Sequence, residues 1–111
     1  MKKFTITFEI PKDLPLNAED KKKTPQELAQ EVIQNVILTA GASQRGLREE
    51  DRRLYYKICD KLDEANKEKS ESVDFEDQEF GFIKKCFRET PLNPNKLLRV
   101  IEDLIGAVAK E

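Results

Sequence analysis

The chain has 111 residues, with hydrophobic and charged residues each at 38% and a net charge of -2. At this length one domain, 1–111, is expected, and the near-neutral charge excludes a polyelectrolyte that would be held on nucleic acid by charge alone. So little apolar material disfavours a large enclosed substrate cavity, and no apolar run approaches the roughly 18–20 residues needed to cross a bilayer.

Residues 4–10 alternate, with Phe4, Ile6, Phe8 and Ile10 on one side and Thr5, Thr7 and Glu9 on the other. A period of two in β-branched and aromatic residues reads as a strand, ended by Pro11 and Pro15. A lone strand is unstable in water. It pairs with the fragment Val73-Asp74-Phe75, pairs with a partner molecule or a second copy of this chain as a homodimer, or lies across the helices. Residues 13–23, with Lys21-Lys22-Lys23, read as a polar linker. The expected layout is therefore a strand plus linker over 1–23 and a helical core over 24–111.

The first helix should open at Thr24-Pro25-Gln26-Glu27, where Thr24 caps, Pro25 suits the first turn and Glu27 completes a capping box. Leu28, Val32, Ile33, Val36 and Ile37 form its buried stripe, and Ala40-Gly41 should stop it. A second helix is expected from Arg48 to Ala65, with Leu54, Tyr55, Ile58 and Leu62 at three- and four-residue spacing. Residues 66–72 read as a mobile charged loop. A third helix should run from near Phe75, capped by Asp74, to Arg88 with Phe80, Ile83 and Phe87 inward. Asn93 and Pro94 should open a fourth, carrying Leu97, Leu98, Ile101, Leu104, Ile105 and Val108. The fold class is α+β and mostly α: about four helices in a small bundle with a short N-terminal strand. Helices two, three and four are expected to pack on one another, with helix one beside them.

No catalytic or ligand set stands out. Aligning residues 66–77 with an EF-hand calcium loop puts Glu71 where glycine is needed and Asp77 where a bidentate Glu belongs. With no His, and with Cys59 and Cys86 27 residues apart, zinc lacks its ligands. The two cysteines read as free thiols in apolar surroundings, and 41–46 lacks the Lys-Ser/Thr ending of a phosphate loop. No cofactor and no metal is expected, and the chain is not read as an enzyme. The candidate binding residues are Arg45, Arg48, Arg52 and Arg53, because arginine's planar fork favours interfaces and loops carry binding.

Taken in order, the strand after Met-Lys-Lys-Phe, the polar segment and helix, the charged helix with Arg52-Arg53-Leu54-Tyr55-Tyr56-Lys57-Ile58, the acidic stretch, the helix with Glu79-Phe80-Gly81-Phe82-Ile83-Lys84-Lys85, and the closing Leu/Ile helix resemble small accessory proteins of tailed bacteriophages and prophages. That resemblance implies a cytoplasmic protein of a bacterial host that works by contacting another protein, and it assigns no residue a role. The expected function is a non-enzymatic protein-protein interaction module. The alternative is a nucleic-acid-binding or transcription-associated regulator using the arginines between 45 and 53. The acids at the start of the third helix disfavour it, since they would face the DNA groove.

Overall fold

The computed structural model describes residues 2–8, 23–43, 45–94 and 96–109. Along them run strand β1 (Lys2–Thr5), helix α1 (Pro25–Ser43), helix α2 (Glu49–Glu68), strand β2 (Ser72–Phe75), helix α3 (Asp77–Glu89) and helix α4 (Lys96–Ala109). The expected class holds: a mostly helical chain with a small N-terminal strand component. Ile10, the Pro11–Pro15 stop and the linker over 13–22 lie outside the described residues.

Of the three arrangements open to the N-terminal strand, the chain uses its own fragment. β1 pairs antiparallel with β2, with Phe4 opposite Val73 and Lys2 opposite Phe75, and the Ile6 N–H extends the ladder to the Glu71 carbonyl at 2.9 Å. Two strands alone are marginal. These hold because Phe4, Ile6, Val73 and Phe75 are all buried in the main core. The Phe4 ring lies 6.2 Å from both Phe75 and Phe80. Burying each such side chain contributes about 1.5–3 kcal/mol. The strand is thus part of the core rather than an appendage to the helices.

α1 starts as its capping box predicts, the Thr24 hydroxyl accepting the Glu27 N–H at 3.3 Å. It does not stop at Ala40-Gly41. The helix continues to Ser43 and ends where Arg45 adopts a left-handed φ of 62°. There the Gly46 N–H reaches the Gly41 carbonyl and the Arg45 N–H reaches that of Ala42, the two bonds of a Schellman motif. Gly41 serves a different purpose: a Cβ there would stand 2.9 Å from the Leu47 side chain, so glycine lets the returning chain close over the helix end. α2 ends the same way. Lys69 is left-handed at φ 54°, with Ser70 donating to Ala65 and Lys69 to Asn66. This carries α2 three residues past the expected end. The stretch expected to be a mobile loop is therefore the last turn of α2, its cap and the start of β2. Residues 66–77, aligned with a calcium loop in the sequence, form the end of α2, its cap, β2 and the start of α3.

α1 and α2 run antiparallel along a polar seam. Gln26 donates to the Ser70 carbonyl at 3.1 Å, Gln30 to Asp63, and Gln34 to the Cys59 sulfur at 3.3 Å. Asn66 in turn donates to Gln30. Beneath it Leu28, Ile33, Ile37, Ile58 and Leu62 are fully buried. α3 begins two residues later than expected, because β2 occupies residues up to Phe75 and Glu76 takes the cap position. The helix packing also differs from expectation. α1, α2 and α3 pack mutually, while α4 lies against β1 and touches α1. The strand presents an apolar face, and α4 packs on it with Leu98, Ile101, Ile105 and Val108 buried in the same core as Phe4 and Ile6. Of the residues expected inside, Ile58, Leu62, Phe80, Ile83, Ile101 and Ile105 are buried, and Leu54, Phe87, Leu97 and Leu104 are only half-buried.

Candidate functional site

α2 and α3 meet closely at one end and part at the other. At the closed end Lys61 Nζ sits 2.5 Å from Glu79 Oε1 and 6.0 Å from the centre of the Phe75 ring. Glu79 is 1% exposed, and the same oxygen accepts the Glu76 N–H at 2.8 Å, which closes the first turn of α3 as the third-position acid of a capping box does. Its other oxygen, Oε2, is buried without a hydrogen-bond partner. Sequence reasoning placed Glu79 among acids facing outward. A Glu three residues after a cap position, four before Ile83 and beside Phe80, was the signal that it points inward.

Past Gly81 the helices separate around a groove of about 620 Å³. Its apolar lining is Leu54 from α2, Phe82 and Cys86 from α3, and Ala40 and Leu47 from the end of α1 and the turn after it. The α2 wall follows helical spacing through Glu50, Arg53, Leu54 and Lys57, and the α3 wall through Gln78, Phe82, Lys85 and Glu89. Phe82 and Cys86, four apart, form a second apolar stripe on α3 beside the Phe80–Ile83–Phe87 stripe. That stripe is the sequence signal for this groove.

The Cys86 thiol, 7% exposed, is pushed up to about 11 by burial, with Asp51 adding to the effect. At neutral pH it is a protonated thiol and a poor nucleophile. Cys59 is also a free cysteine. Burial raises its pKa against the opposing effect of hydrogen bonds from Tyr55 and Gln34. Tyr55 itself is raised to about 12, chiefly by burial and then by its bond to Cys59. Among the described residues no group of three or more His, Cys, Asp or Glu is placed to hold a metal ion, and no helix is long and apolar enough to cross a membrane.

The four candidate arginines are all exposed but do not form one cluster. Arg45 is the left-handed residue of the α1 cap. Arg52 donates to the Leu47 carbonyl at 3.1 Å, which pins the turn to α2. Arg53 pairs with Glu49 at 2.7 Å, one helical turn away, and lines the groove. Arg48 lines an adjoining shallow depression with Glu49, Glu50, Asp51 and Lys85. The structure therefore brings Arg53 to the groove, sets Arg48 in the depression beside it, fixes Arg45 by its backbone in the α1 cap and turns Arg52 to the Leu47 carbonyl. No protein-family model, curated protein or solved structure matches this chain.

Proposed function

We propose that this chain is a non-enzymatic protein-interaction module whose working surface is the groove between α2 and α3. The observation that carries this reading is the pairing of an apolar floor, Leu54 and Phe82, with a charged rim in a chain whose other large apolar residues mostly enter the core. An apolar centre within a polar rim is the anatomy of a protein interface. The protonated Cys86 fits a lining role rather than a nucleophilic one. The resemblance to phage accessory proteins points the same way, toward a small protein acting by contact with a host or phage protein.

The test compares capture from nuclease-treated lysate by the native chain, by Phe82→Lys and by Arg45→Glu/Arg48→Glu, with folding checked by circular dichroism. A protein identified by mass spectrometry that is lost only with Phe82→Lys supports the groove. Loss only with the arginine changes would move the surface to the turn before α2. Bound material that disappears with nuclease would instead support nucleic-acid binding.

A further inference from the structure

Resting on the reading just given, we infer that the occupant of the α2–α3 groove is an amphipathic helix of a partner protein, basic at one end of its contact face and acidic toward the other. Both walls of the groove are helices, whose backbone groups are bonded internally. They offer an extended peptide no ladder to join, so strand addition gains nothing here. A helix brings its own backbone already satisfied and needs only side-chain pockets at three- and four-residue spacing.

The rim supplies the charge pattern. Glu50, Asp51 and Glu89 gather where α2 begins and α3 ends, with the cation Lys85 beside them, while Arg53 and then Lys57 follow along α2. Arg53 is paired with Glu49, and the other five have no side-chain ion pair or hydrogen bond with another described residue. The direction of the pattern follows from the antiparallel run of the helices, since Lys61 meets Glu79 at one end and Asp51 shares a depression with Lys85 at the other. Opposite charges arranged this way select partner and register.

Gly81 adds the point of closest approach. It is exposed on the groove wall in mid-helix, and a Cβ there would meet nothing within 4 Å. The fold has no packing need for glycine at this position, where glycine weakens a helix. A backbone crossing α3 closely does need it. Gly106 on α4 is equally open and stands outside the groove, which makes it the control.

The experiment is selection against the full chain from a displayed library of peptides about five turns long. Contact positions are randomised among apolar residues and rim positions between Lys and Glu, and half the members carry central prolines. Groove binding is read from amide chemical shifts of Leu54, Lys57, Gly81 and Phe82. The expected winners are proline-free and mixed in charge, and shift those amides. Gly81→Leu should weaken them by at least about tenfold with the melting temperature unchanged or raised, and Gly106→Ala should leave binding intact. Winners that are proline-bearing, uniform in charge, or indifferent to Gly81→Leu while still shifting the groove would overturn the helix and leave the interaction reading standing. If no peptide moves a groove amide, both fail.

Discussion

Along its flank toward α1, helix α2 is sealed by hydrogen-bonded side chains, with Gln26, Gln30 and Gln34 each meeting a partner on the facing segment. Along its flank toward α3 the one ion pair among the described residues is Lys61 with Glu79, set over shared apolar packing, and beyond it the helices part. The two flanks differ in what each can specify. Amides spaced four apart are satisfied together in a single register, so the first flank holds two helices in one alignment. The second flank closes where Phe75 and Phe80 fill the space and opens where Gly81 leaves it empty. One helix therefore carries both a fixed joint and a surface free for another molecule.

The strongest way to test this contrast is to truncate one residue on each side of it. Ile58 is 0% exposed beneath the sealed region, and Ile58→Ala should cost about 2–5 kcal/mol. Leu54→Ala, one turn earlier on the groove, should cost less, about 1–2 kcal/mol, because its side chain is only partly buried. Urea denaturation of both variants decides it, and equal losses would mean the groove is closed in solution.

Next in size is the buried contact itself. Glu79→Ala removes the bond to Lys61 and the bond to the Glu76 N–H. It should destabilise by about 2–3 kcal/mol, below the figure for a fully buried pair because the Lys61 side chain is 30% exposed and regains water. Hydrogen exchange should show the first turn of α3 fraying before the rest. Uniform loss across the helix would assign Glu79 to general packing instead.

Cys86 sharpens the contrast through pH. Its folded pKa of about 11 stands above the ordinary thiol value of 9.0, so the unfolded chain releases its proton first and stability falls as pH rises. The thiol's contribution is complete below about pH 9 and lost by about pH 11. Burial raises Tyr55 as well, from 10.0 to about 12, so its loss follows at higher pH. Cys86→Ala should make the 9–11 portion of the stability profile shallower, with Cys59 and Tyr55 supplying the slope that remains, and leave the later portion. A profile unchanged by the substitution would show that the thiol is open to water through the groove.

The smallest effect belongs to the helix ends. Lys69 holds a left-handed φ of 54° where glycine is usual, so Lys69→Gly should stabilise by up to about 1 kcal/mol. A rise in melting temperature of a few degrees would confirm it, and a fall would mean the lysine side chain contributes elsewhere.

Much of the secondary structure was legible because its signals are local. Thr24 with Glu27, the stripe through Ile58 and Leu62, and the alternation around Phe4 and Ile6 all act over a few residues, within the reach of backbone sterics and helical period. The helix ends were less legible. Ala40-Gly41 resembles a stop, but the Gly41 contact that explains it comes from Leu47, after the chain has turned. The arginines between 45 and 53 were visible as a group in sequence, and the fold disperses them by giving each a different backbone or side-chain neighbour.

What the sequence determined by itself was which residues must leave water and at what period, and hence four helices and a strand among the described elements. The tertiary structure decided which apolar stripe faces which. It paired β1 with β2 across the intervening α1 and α2, sent α4 to the strand rather than to α2 and α3, and turned Glu79 inward. It also left Leu54 and Phe82 lining an open groove. The reason is that burying apolar surface is non-directional, so a stripe specifies that it must be covered. What covers it is settled only when side-chain volumes, buried polar partners and chain connectivity are satisfied together.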